Sequence, residues 1–231
     1  MLNKIKAFIK ANIFVCSLIP LTFFGIIIST ILNDISFFRI LPLINSLVIM
    51  LLHSQANRYG FLLGGINSII YAIVDISFTL YSSAVSALLL GFPIQILTFL
   101  RWNKRAYKKS TKFTRLSPLW RLSVIGMTVL TYLLLNLIFR ALGSQYMLID
   151  NLSFVMALLT YVLTFFSFIE YPIVQILANV VTLSVNVTVF INDPARLPFL
   201  IYSVYALCCV TRGAISVFKL YREQQKAKES V

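Results

Sequence analysis

The chain is poor in charge, above all in acid. Of 231 residues, 7 are Asp or Glu, one is histidine and three are cysteine. With His53 alone, no histidine metal cluster, Ser–His–Asp set or paired general acid and base can be assembled from sequence neighbours. Cys16, Cys208 and Cys209 sit inside apolar runs. Two of them are adjacent, which disfavours a disulfide between them on geometry. No GxxxxGK[ST] stretch occurs, so nucleotide hydrolysis drives nothing here. These absences argue against an enzyme and give no reason to expect a cofactor. What replaces charge is apolar surface: 59% of residues are hydrophobic and 12% charged, against about 45–50% and about 25% in a soluble domain. Mean hydropathy is +0.90. A water-soluble fold cannot hide that much apolar surface. The solvent is a bilayer.

The sparse charges divide the chain. Between them run eight charge-free gaps of 15 to 25 residues, at 11–33, 40–57, 59–74, 76–100, 122–139, 151–169, 171–192 and 197–211. A hydrocarbon core about 30 Å thick needs about 20 helical residues, and snorkelling end residues such as Arg212 extend the shorter gaps. Runs such as Ile26-Ile27-Ile28 place apolar groups on every face, which excludes barrel alternation. The expected fold is all-α and integral to the membrane, with about eight transmembrane helices. The first run is too long for a signal-peptide core and lacks a cleavage site, so it is read as a retained helix.

Basic residues set the expected orientation. Eight of them, from Arg101 to Arg121, lie between the fourth and fifth helices with no acid among them. The positive-inside rule places this loop in the cytoplasm. Lys4, Lys6 and Lys10, and Lys219, Arg222, Lys226 and Lys228, then fall on the same side, giving cytoplasmic termini in a multi-pass protein of the cell membrane. The net charge of +13 is thereby explained by topology and anionic headgroups rather than nucleic acid. Trp102, Tyr107, Phe113 and Trp120 are too widely spaced for a base-stacking platform.

A weak repeat is present. Arg58-Tyr59 and Asn67 recur as Glu170-Tyr171 and Asn179, at an offset of 112. An offset of four helices preserves direction, so two parallel three-helix repeats are expected, joined by a linker helix. The expected organisation is an N-terminal membrane helix (1–34), a first repeat (35–105), a basic loop with linker helix (106–146), a second repeat (147–222) and a polar tail (223–231).

Polar side chains inside the spans carry the functional signal, because lipid penalises them unless they face an interior. Asn67 and Tyr71 are one turn apart on helix three. Gly91 and Pro93 interrupt helix four near Gln95, and Ser82 and Ser86 precede them. Gln175, Asn179, Thr182 and Asn186 form a stripe on helix seven. Amides suit a neutral polar ligand and tyrosines suit a ring. The expected substrate-binding set is Asn67, Tyr71, Tyr81, Gln95, Gln175 and Asn179. The competing reading is that these groups only hold helices together, as in a membrane scaffold.

Asn57-Arg58-Tyr59-Gly60 through Asn67, Leu80-Tyr81-Ser82, Gly91-Phe92-Pro93-Ile94-Gln95 before Trp102, and Asp150 with Glu170 and Asn179 resemble the PnuC vitamin transporters. The resemblance implies a fold similar to the SWEET transporters and facilitated uptake of nicotinamide riboside or a related vitamin. It also implies a functional link to a cytoplasmic kinase that traps the product. Pro172 and Gln175 stand where that family usually has tryptophans, which makes a different nucleoside, or a vitamin such as thiamine or riboflavin, the alternative to nicotinamide riboside as lead substrate. Self-association into a homo-oligomer stays open. Since no acid is secure at mid-depth, uptake should need no ion gradient. Counterflow in de-energised vesicles should proceed normally, and its loss on collapsing a proton or sodium gradient would show coupling.

Overall fold

The computed structural model describes residues 13–141 and 146–229; Lys4, Lys6 and Lys10, used above for orientation, lie outside the described residues. Among the described residues there are eight membrane helices: α1 (Ile13–Leu32), α2 (Phe37–His53), α3 (Tyr59–Ser77), α4 (Tyr81–Lys104), α5 (Pro118–Ala141), α6 (Met147–Phe165), α7 (Tyr171–Asn192) and α8 (Leu197–Glu229). Each follows one of the charge-free gaps. Seven are long and apolar enough to span, and α2 is shorter at 17 residues, about 26 Å at 1.5 Å per residue. The all-helical membrane class read from the sequence is the observed one.

Close helix approach depends on small residues, since lipid supplies no hydrophobic drive between helices. A methyl on Gly65 of α3 would come within 3.2 Å of the Phe92 carbonyl of α4, and one on Gly213 of α8 within 2.9 Å of the His53 carbonyl of α2. The Tyr205 hydroxyl adds a 2.8 Å bond from α8 to the Leu47 carbonyl of α2. Helix α4 is not uniform: residues Ser86–Gly91 form a π-helical turn just before Pro93. Proline removes a backbone donor, and widened turns of this kind absorb the mismatch.

The segment between α4 and α5 is more than a string of charges. It makes a short hairpin, Ala106–Tyr107 against Ser110–Thr111, and then drives Phe113 and Leu116 into the helix ends. Trp102 is fully buried there. Its ring meets Phe61 at 4.7 Å, Phe113 at 5.7 Å and Tyr171 at 6.1 Å, all edge-on. Its indole N–H donates to the Thr164 carbonyl at 2.9 Å. Gln224 of α8 accepts from the Phe113 amide and donates to the Thr111 carbonyl, both at 2.9 Å. Glu170 receives Arg121 at 2.7 Å. Of the loop's aromatics, Trp102 and Phe113 thus join Phe61 and Tyr171 in one knot that seals this end of the bundle, while Trp120 stays exposed. Tyr59 and Tyr171, paired by the sequence offset, each open a helix at this end.

Trp102→Ala should remove the centre of this knot and cost about 3–5 kcal/mol of stability. A clear fall in the melting temperature of the purified protein is expected; an unchanged melting temperature would show that the loop does not depend on it.

Candidate functional site

The opposite end of the bundle is polar. There a cavity of about 250 Å³ lies between α3, α4, α6, α7 and α8. Its walls include Tyr71, Ser86, Tyr161, Thr182, Arg196 and Tyr202. The geometry follows from the helix starts and stops. α3 and α7 end at this level, α4, α6 and α8 begin, and the π turn of α4 brings Ser86 and Ala87 to the wall.

A buried ion pair closes one side. Asp75 sits in the last turn of α3, and Arg196 in the short turn Pro194–Arg196 before α8. The Arg196 Nη2 donates to Asp75 Oδ1 at 3.3 Å, and Nε donates to Asn186 Oδ1 of α7 at 2.8 Å. Asn186 in turn donates to Ser203 of α8. The guanidinium lies over the rings of Phe78, at 4.6 Å, and Phe199, at 4.1 Å. Asp75 and Arg196 are both buried, so each needs the other: a lone charge in this medium is costly.

Asp150 forms the neighbouring wall support. It is buried at the start of α6 and accepts the Ser82 amide at 2.9 Å, the Ser83 amide at 3.2 Å and the Ser83 hydroxyl. These are the first free amides of α4, so a carboxylate from another helix caps it and opposes its positive end. Asn151 continues the link, accepting from Ser82 Oγ and donating to Asn136 of α5 at 2.9 Å.

Of the six residues expected from sequence, Tyr71 lines the cavity, with its hydroxyl 3.1 Å from Ser46 Oγ. Gln95 lies one contact behind the wall, donating to Ser68 Oγ at 3.1 Å, and Ser68 is a lining residue. Asn67 is buried and spent on α2: it donates to the Pro42 carbonyl at 2.8 Å and Ser46 Oγ at 2.9 Å, and accepts from Asn45 at 3.1 Å. Gln175 and Asn179 lie lower on α7, bonded to one another through the Gln175 carbonyl at 2.8 Å. Tyr81 begins α4 and is only half-buried. The stripe on α7 does reach the cavity, through Thr182 and Asn186. Sequence reasoning missed Asp75, Arg196 and Tyr202. Asp75 and Arg196 looked like helix-end charges, and only their pairing distinguishes them. A second groove, between α1 and α8, is mainly apolar, with Ile13, Phe14, Leu207 and Ile215 in its lining beside Thr211 and Arg212.

The family profile described as nicotinamide mononucleotide transporter matches residues 36–215. The chain belongs to that family. The match spans all of α2 to α7 and most of α8, including every residue of the cavity wall. The fold is also that of a solved relative, the crystal structure of the vitamin B3 transporter PnuC, with a TM-score of 0.78, 20% identity and 92% of each chain covered. No curated protein sequence matches the chain. Family and fold agree with the membrane class read from composition and with the family resemblance read from the motifs: this family member is a multi-pass membrane transporter for nicotinamide-related compounds and not an enzyme.

Removing Asp75 alone strands a buried guanidinium. Asp75→Ala should cost about 3–5 kcal/mol, while Asp75→Leu with Arg196→Met should recover much of it. Thermal unfolding of both variants checks this, and equal melting temperatures for Asp75→Ala and the parent would show that the pair carries no stability.

Proposed function

We propose that the protein mediates facilitated uptake of nicotinamide riboside or a closely related nucleoside or vitamin. The carrying observation is a polar, tyrosine-lined cavity between α3–α4 and α6–α8 in a chain that belongs to this transporter family. Residues 35–105 and 147–222 act as the two repeats, with 106–146 as linker, 1–34 as an added helix and 223–231 as a polar tail. The loop end faces the cytoplasm of a cell-membrane protein, so the cavity lies toward the outside. Tyr71 addresses the ligand directly, and Gln95 holds the wall through Ser68. Gln175 and Asn179 continue the α7 stripe below Thr182 and serve the path toward the loop end. Tyr81 stands at the mouth, and Asn67 braces Tyr71's neighbour Ser46. Phosphorylation of the product by a cytoplasmic kinase makes uptake one-way. The place of Gln175 on this path keeps thiamine and riboflavin in the test as rival ligands.

A ligand bound only by the folded state raises the melting point, by about 2.7 kcal/mol of stability at 100 times Kd. Nicotinamide riboside should do so, and Tyr71→Phe, which removes a hydroxyl from the cavity wall, should weaken binding by about 1–3 kcal/mol, roughly 5- to 150-fold. Stabilisation by thiamine or riboflavin alone would reassign the substrate, and stabilisation by none would favour the scaffold reading. For orientation, Lys112 is exposed, and a cysteine placed there should resist a membrane-impermeant thiol reagent in intact cells. Labelling would invert the topology.

A further inference from the structure

We propose, independently of the transport reading, that the groove between α1 and α8 is a binding site for an anionic phospholipid, with an acyl chain in the groove and the phosphate on Arg212. Away from the loop end the two helices meet closely: a methyl on Gly25 of α1 would come within 3.3 Å of Ile201 Cγ2 of α8. Toward the loop end, Ile13 and Phe14 of α1 face the stretch of α8 from Leu207 to Ile215 across a groove of about 510 Å³. Contacts in this opposite order mean that the helices run antiparallel. The α8 side of the groove is about 12 Å long at 1.5 Å per residue. Its lining is mainly apolar and carries one charge, Arg212.

The depth of that arginine suits a headgroup. Gly213, its neighbour, packs on the carbonyl of His53, the last residue of α2. Arg212 therefore lies at the level where α2 ends on the loop side, while the wall from Leu207 leads back into the hydrocarbon. Counted from Leu197 it is about 22 Å along α8, against a hydrocarbon core of about 30 Å. An arginine so placed snorkels to the interface, and its planar fork matches a phosphate with two parallel bonds.

Charge selects the class of lipid. Lys219 and Arg222 stand seven residues beyond Arg212 and Ile215, two turns on and on the same helix face, and both are exposed. Glu223 beside them is paired with Lys108 at 2.6 Å, and the groove lining holds no acid. Lys4, Lys6 and Lys10 precede Ile13 in the chain. A cationic mouth favours a headgroup of net negative charge over a zwitterionic one, and it disfavours the lysine-bearing N-terminal segment as the occupant.

Native mass spectrometry of the purified full-length protein tests this, with phosphatidylglycerol or phosphatidylcholine of matched chain length added to the detergent. The parent should retain one phosphatidylglycerol with a preference of about 5-fold or more, the factor contributed by one basic side chain near anionic lipid. Arg212→Gln should lower that preference by about the same factor. Cys208→Phe, which narrows the groove and leaves every charge in place, should abolish retention of this lipid. Lys112→Gln, an exposed cation of the loop, should change nothing. An equal loss in Lys112→Gln, or several phosphatidylglycerols retained alike by the parent and Cys208→Phe, would reduce the effect to diffuse attraction and overturn the site. A dimer in the parent spectrum that Cys208→Phe dissolves would give the groove to a second copy of the chain and overturn it as well.

Discussion

A guanidinium inside a membrane protein must be neutralised by its own chain, and the polar half of this molecule is arranged around that demand. Arg196 draws in Asp75 from α3, Asn186 from α7 and two phenylalanine rings. Those contacts join the end of the first helix set to the second. The cavity exists beside them because two helices stop and three begin at one level. Their termini bring amides and carbonyls that lipid would not tolerate unsatisfied. Asp150 answers the same demand at the start of α4, where it accepts the Ser82 and Ser83 amides from another helix.

The two ends of the bundle obey different physics. At the loop end, Trp102, Phe61, Phe113 and Tyr171 interlock by shape and apolar burial. At the other, hydroxyls, amides and one ion pair hold helices apart enough to leave space. A carrier needs this asymmetry in any single state, with one side shut by packing and the other lined by groups a ligand can replace. The basic loop contributes to closure directly, since the chain between Lys112 and Arg121 supplies Phe113 and Leu116 to the seal.

The amides show why residue type alone is ambiguous in a membrane. Asn67 and Asn179 occupy equivalent places in the 112-residue offset, yet their surroundings differ. Asn67 satisfies its amide entirely on α2, while Asn179 returns its N–H to the Gln175 carbonyl of its own helix. Glue and binding group use the same chemistry, and the neighbouring helix decides which is which.

The sequence by itself determined the solvent, the number of helices and roughly where each lies, because a bilayer charges so heavily for each Lys, Arg, Asp or Glu that the gaps between them outline the spans. It also carried the polar stripe of α7 and the motifs of the family. Tertiary structure alone decided the pairing of Asp75 with Arg196, 121 positions apart, the capping of α4 by Asp150, and the convergence of three aromatics on Trp102. Each of these depends on which helix ends meet. Charge at a helix end reads the same in a sequence whether it faces water or a buried partner, and only the packing of α3, α7 and α8 distinguishes the two.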